Sequence, residues 1–205
     1  YLIMKEFLYR GTTSIALILI FYYSYINEFF FLFVLLISFI LSLFEYYKLI
    51  YKIKKIYLEK YLFFGIGIFY IVCTSLILFI NFYTLKNLIF YFILICIASD
   101  IGGLISGKIF KGKKLTKISP KKTYSGFYGS FVMSFIVMFF FIEFVNLNFL
   151  LLIILTFSVC LLSQLGDLFF SYLKRKALVK DTGKLLPGHG GILDRFDAVV
   201  FTVPF

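Results

Sequence analysis

Long apolar runs separated by short, basic connections constrain this chain more than any other feature of its sequence. A helix that crosses a bilayer needs about 20 mostly apolar residues to span a hydrocarbon core of roughly 30 Å. Six such runs stand out, at residues 12–26, 29–47, 61–80, 87–106, 126–145 and 149–170, with a stub at 196–205. In lipid every backbone polar group must be satisfied within its own segment, so runs of this length fold as helices. The expectation is an all-α, polytopic integral membrane protein with six spanning helices and an incomplete seventh. Composition agrees: 62% of the 205 residues are hydrophobic and 22% aromatic, with a mean hydropathy of +1.01. A water-soluble fold of this size cannot hide that much apolar surface.

The net charge of +11 would suggest a nucleic-acid partner in a soluble protein. Here the basic residues carry the topology instead, and no nucleic acid is expected. Lys5 and Arg10 precede the first run, and Lys48, Lys52, Lys54, Lys55 and Lys60 follow the second. Seven lysines lie between Lys108 and Lys122, and Lys174, Arg175, Lys176, Lys180, Lys184 and Arg195 follow the sixth run. The alternate connections hold Lys86 alone, so 20 of 21 basic residues fall on one side, which the positive-inside rule makes the cytoplasm. No cleavable signal peptide is apparent. No repeat or linker divides the chain, so residues 1–205 are expected to form one membrane-embedded domain, with the helices of residues 1–86 mainly scaffold and residues 87–205 catalytic. Cys73, Cys96 and Cys160 each lie inside an apolar run without a second ligand at metal spacing, and read as packing residues.

Polar residues that a membrane helix would not carry without cause are concentrated in two segments. Asp100 sits in the cytoplasmic third of an apolar run, where a carboxylate costs about 2.5–3.5 kcal/mol, so it should face a polar cavity, a cation or the interface beside Lys108. Gly102, Gly103 and Gly107 follow, and serve either close ligand approach or helix packing. Ser119-Pro120-Lys121-Lys122-Thr123 combines hydroxyls with two ammonium groups, which suits phosphate oxygens and equally an anionic lipid surface. In the second segment Ser163, Asp167, Ser171 and Lys174 fall on one helix face. An Asp on that face needs a partner, which Lys174, the stripe residues or a metal ion could supply. The stretch 180–197 then brings glycines around His189 that can present N–H groups to an anion. Asp194 and Asp197, three apart, would share one side of a helical turn, with Arg195 between them. Three carboxylates, Asp167, Asp194 and Asp197, suit a hard cation such as Mg²⁺. The chemistry such a set fits is nucleotidyl transfer, in which a phosphate monoester attacks the α-phosphorus of a nucleoside triphosphate.

These residues resemble the phosphatidate cytidylyltransferase family. Ser171-x-Leu173-Lys174-Arg175, Lys180-Asp181, Pro187-x-His189-Gly190-Gly191 and Asp194-Arg195-x-Asp197 match the family's C-terminal signature in identity and spacing. Gly166-Asp167-Leu168, the 119–123 stretch and Asp100 with Gly102 resemble its other blocks, and Phe44-Glu45-Tyr46 its aromatic-Glu-aromatic element. The resemblance implies transfer of CMP from CTP to phosphatidic acid, giving CDP-diacylglycerol and pyrophosphate, by a site on the cytoplasmic side of the C-terminal half. It implies that Asp167, Asp194 and Asp197 hold Mg²⁺, and that Asp100, Ser119, Lys121, Lys122 and Thr123 line the CTP site. Lys174, Arg175, Lys180 and His189 would bind substrate phosphates, with Ser171, Asp181, Gly190, Gly191 and Arg195 completing the pocket. It further implies an integral protein of the bacterial inner (plasma) membrane and a homodimer. Ser125 and Phe170 stand where the family often has Glu.

Other readings are discriminated by pattern. A CDP-alcohol phosphotransferase would show D-x-x-D-G-x-x-A-R and two further aspartates, a spacing absent here. A membrane transporter would show broken helices repeated across two halves. A noncatalytic fragment of the same family remains an alternative on the sequence alone.

Overall fold

A computed structural model describes residues 2–53, 57–116, 119, 122–188 and 190–204, with side chains for all of these except 2–8, 10 and 57. Lys121 and His189 of the expected site lie outside the described residues. The helices are α1 Leu2–Ile26, α2 Glu28–Tyr51, α3 Tyr57–Ile109, α4 Tyr124–Phe140, α5 Ile142–Val145, α6 Phe149–Lys176 and α7 Leu193–Thr202. Among the described residues only isolated bridges, Lys114 with Thr123 and Leu186 with Gly190, pair extended backbone. The protein is therefore all-helical, as the apolar runs require.

Local chemistry sets the helix ends. Asn27 is extended and its side chain accepts a hydrogen bond from the Phe30 N–H at 3.1 Å, capping α2. Thr123 does the same for α4 through the Gly126 N–H, also at 3.1 Å. Lys174, Arg175 and Lys176 occupy the last turn of α6, where positive charge complements the helix dipole. The boundary between the third and fourth runs is subtler than a loop. Residues 81–86 contain neither Gly nor Pro, and the helix departs from helical geometry only at Leu85 (φ −119°, ψ 26°). α3 is two helices joined at that kink, and each carries one of the two runs. The fifth run is divided instead, at Phe141, and Asn146 in the left-handed conformation (φ 52°) ends α5.

Glu28–Tyr51, Leu58–Ile109 and Phe149–Lys176 are each long and apolar enough to cross a membrane, and Gly11–Ile26 and Tyr124–Phe140 are shorter apolar helices. Their outer faces carry large exposed apolar side chains such as Ile18, Phe33, Phe69 and Phe139. Such surface belongs in lipid, and the protein is a membrane protein.

The chain divides into two compact units, Tyr1–Phe79 with Leu173–Phe196, and Ile80–Tyr172 with Asp197–Phe205. In the first, Tyr46 is fully buried and donates its hydroxyl to the Phe63 carbonyl. Gly67 makes room for the Tyr46 ring, which stands where a Cβ would be. Leu49, Ile50, Ile71, Leu173 and Leu193 complete that core. In the second, α3 and α4 touch backbone to backbone: a Cβ on Gly102 would come within 2.5 Å of the Gly129 carbonyl, and one on Gly126 within 2.8 Å of the Gly103 carbonyl. Ser130 Oγ donates to the Ser99 carbonyl at 2.7 Å across this contact. Small residues and interhelical hydrogen bonds are the means by which helices associate where lipid is as apolar as the side chains.

Candidate active site

In the first unit the site is built around Asp194, in the opening turn of α7. Its Oδ1 accepts from Lys174 Nζ at 2.8 Å. Its Oδ2 accepts from the Thr182 N–H at 2.8 Å, and from the Gly191 N–H and Thr182 Oγ1 at 3.0 Å each. The Asp194 side chain is 5% exposed and that of Lys174 12%. Burial alone would push the Asp194 carboxyl up, but the Lys174 ammonium and the backbone donors of Gly191 and Thr182 outweigh it and hold the group below the ordinary 3.8. The loop conformation follows from its glycines. Leu186 and Gly190 exchange both backbone hydrogen bonds, and Gly188 (φ 75°) and Gly190 (φ 86°) take the left-handed conformation that this tight turn needs. A side chain on Gly190 would also meet Asp194 Oδ2 at 2.9 Å.

A residue outside the expected site enters here. Glu45 of α2 is 3% exposed and sits at the start of α7. It accepts from the Ile192 N–H at 3.2 Å, the Leu193 N–H at 2.9 Å and Thr182 Oγ1 at 3.0 Å. Thr182 has one hydroxyl proton and two carboxylate neighbours, so it serves one of them at a time. The sequence signal for Glu45 was a carboxylate inside an apolar run between two aromatics; nothing local to it named its partners.

In the second unit Asp167 pairs with Lys122, Nζ to Oδ2 at 2.6 Å, and accepts from Ser171 Oγ at 3.3 Å. The stripe on α6 thus supplies one partner, and Lys122 of the 119–123 stretch supplies a cation, whereas Lys174 reaches Asp194. Ser163, on the same stripe, is fully buried. Asp197 is buried and its Oδ1 accepts from the Ala198 N–H at 2.8 Å. α6 approaches α7 closely at Gly166, where a Cβ would stand 3.1 Å from the Asp197 carbonyl oxygen and 2.6 Å from Phe201 Cβ. The loop that presents Lys122 is closed by backbone hydrogen bonds Leu115 to Lys122 (2.8 Å) and Tyr124 to Lys113 (3.1 Å), and Ser119 N–H is held by Thr116 Oγ1 at 3.2 Å. Ser125 donates to the Lys111 carbonyl and contacts Thr123 Oγ1, so it ties this loop to α4. Phe170 is buried against Phe169.

Asp100, Arg175, Lys180, Asp181 and Arg195 are exposed, and Ser119, Lys122, Thr123, Asp167, Ser171 and Lys174 half-buried. Among the described residues no three His, Cys, Asp or Glu side chains converge on one point as a metal cluster. Carboxylate oxygen is the donor type a hard dication takes, and the charge on Asp167 is balanced by the Lys122 ammonium. A cavity of about 370 Å³ lies elsewhere, around Leu85, Lys86, Asn87 and Asn146, and none of the expected site residues lines it.

Apolar helices that carry the enclosed Lys174–Asp194 pair and the half-buried Lys122–Asp167 pair define a helical membrane protein with a polar, charged site. The model of the cytidylyltransferase family matches residues 3–205, and the chain belongs to that family. It is 41% identical over 140 residues to a phosphatidate cytidylyltransferase of Rickettsia bellii, covering 63% of this chain and 61% of the relative. It is 47% identical over 120 residues to one of Staphylococcus haemolyticus and 46% over 120 residues to one of Staphylococcus aureus, each match covering 57% of this chain and 46% of the relative. The matched segments thus span about half to three-fifths of these curated relatives.

Proposed function

We propose that this protein transfers CMP from CTP to phosphatidic acid, forming CDP-diacylglycerol and pyrophosphate. The observation that carries the reading is the folded state of the signature: Lys174, Thr182, Gly191 and Asp194, apart in sequence, are joined by hydrogen bonds into one enclosed charged network. A half-buried lysine and glycine-rich backbone suit phosphate oxygens, and aspartates suit the cation that accompanies a triphosphate. Asp167 and Asp197, with Asp194 as the third carboxylate named by the resemblance, would hold Mg²⁺, which supplies charge neutralisation on the transferring phosphoryl group. Lys122, with Asp100, Ser119, Lys121 and Thr123, would line the CTP site. Lys174, Arg175, Lys180 and His189 would take substrate phosphates, assisted by Ser171, Asp181, Gly190 and Arg195. The basic connections would face the cytoplasm of a bacterial cell, and a second copy of the chain is the partner that the resemblance suggests.

The test is magnesium-dependent conversion of labelled CTP and phosphatidic acid in detergent, comparing the native chain with Asp194→Asn. The expected result is product from the former and at least ~100-fold less from the latter, about 2.7 kcal/mol of lost transition-state stabilisation. No product from well-folded native protein overturns the assignment.

A further inference from the structure

We infer that Glu45 is a positioning residue: it fixes the carboxylate of Asp194 by capping the start of α7, which carries Asp194, and by packing against the 182–191 loop whose Thr182 and Gly191 N–H groups hold Asp194. The inference rests on the reading above for its catalytic consequence, but its structural half stands alone.

Glu45 is buried in α2 and has no ligand-facing task of its own, because its oxygens are taken up by the Ile192 and Leu193 N–H groups and Thr182 Oγ1. The first N–H groups of a helix have no partner inside it, and a carboxylate there also complements the positive end of the dipole. α7 therefore takes its cap from a residue 148 positions earlier in the chain. That choice fixes where α7 begins, and Asp194 is in its first turn. Thr182 is the second connection: its hydroxyl touches both Glu45 and Asp194, and its backbone N–H goes to Asp194. Gly183 and Gly191 close around the same carboxylate. Cβ atoms there would stand 2.8 Å and 2.7 Å from Glu45 Cδ, so the loop wraps Glu45 at a distance only glycine permits. A carboxylate that merely filled a gap would need neither the hydroxyl shared with Asp194 nor two glycines.

The experiment combines backbone amide exchange with kinetics on the full chain in detergent, for the native protein, Glu45→Gln and Glu45→Asp. Both variants are close in size to glutamate, and each is compared with the native chain at equal distance below its unfolding midpoint. Loss of Glu45 trivially exposes the Ile192 and Leu193 amides, so the deciding amides are those of Thr182 and Gly191, which Asp194 holds. The expected result is at least ~10-fold faster exchange at Thr182 and Gly191, unchanged exchange in α4, and kcat reduced at least ~10-fold with KM for CTP within ~2-fold. Unchanged exchange at Thr182 and Gly191, or kcat within ~2-fold of native once stability is matched, overturns the inference. A native chain that makes no CDP-diacylglycerol sinks the proposed function instead, and the exchange at Thr182 and Gly191 still decides whether Glu45 positions Asp194.

Discussion

Asp194 keeps its charge in a place that little water reaches, and Lys174 is the main reason. Lys174→Met leaves a buried carboxylate with only neutral donors, and the expected loss is about 3 kcal/mol of stability, read from unfolding in detergent. The pH dependence has a definite sign. A carboxyl whose folded value lies below the ordinary 3.8 contributes stability above that value and loses it as pH falls through the lowered one. The stability difference between native and Lys174→Met proteins should therefore be largest near neutral pH and shrink as pH falls, beginning where the variant's carboxyl, raised by burial without its ammonium, takes up a proton and ending below the lowered value of the native group. Asp194 and Lys174 both stand out in the sequence because they lie in a spaced signature. Their pairing does not, since helix periodicity placed Lys174 on the stripe of Asp167. The stripe gave Asp167 its neighbour Ser171, but its cation is Lys122, from a loop that periodicity cannot connect to α6.

At the scale of elements, the α3–α4 contact sets the platform from which Lys122 is presented. Gly129 lies against Ser106 and the Gly102 carbonyl, the latter 2.9 Å from where a Cβ would be. A backbone oxygen cannot rotate away, so Gly129→Ala must part the helices. We expect about 1–3 kcal/mol of destabilisation, measured as a lowered unfolding midpoint, with Ser130→Ala costing less because it removes one hydrogen bond. The sequence left the glycines at 102 and 103 open between ligand approach and packing, and the structure gives packing for both. Helix existence was readable from run length. The single-residue break at Leu85 was not, because no breaker marks it and the bend depends on what the flanking turns pack against.

For the molecule as a whole, the uneven distribution of charge makes the boldest prediction: the positive-inside rule would put 20 of 21 basic residues on one side. Single cysteines placed at Lys113 and at Lys86 in a chain without native cysteines should react with an impermeant thiol reagent from opposite sides of sealed vesicles. Labelling of both from the same side would refute the topology. The division of the chain into two units, with Leu173–Phe196 grouped with the first 79 residues, was not legible, because it rests on contacts such as those of Glu45 that join distant segments. Those contacts also bear on how such a sequence can drift. Glu45 occupies the volume that a side chain at 183 or 191 would need. Positions 45, 183 and 191 are therefore one unit of inheritance: alanine at 183 needs a smaller residue at 45, and alanine at 191 needs room from both 45 and Thr182, while exposed Lys184 and Leu185 lie outside that bond.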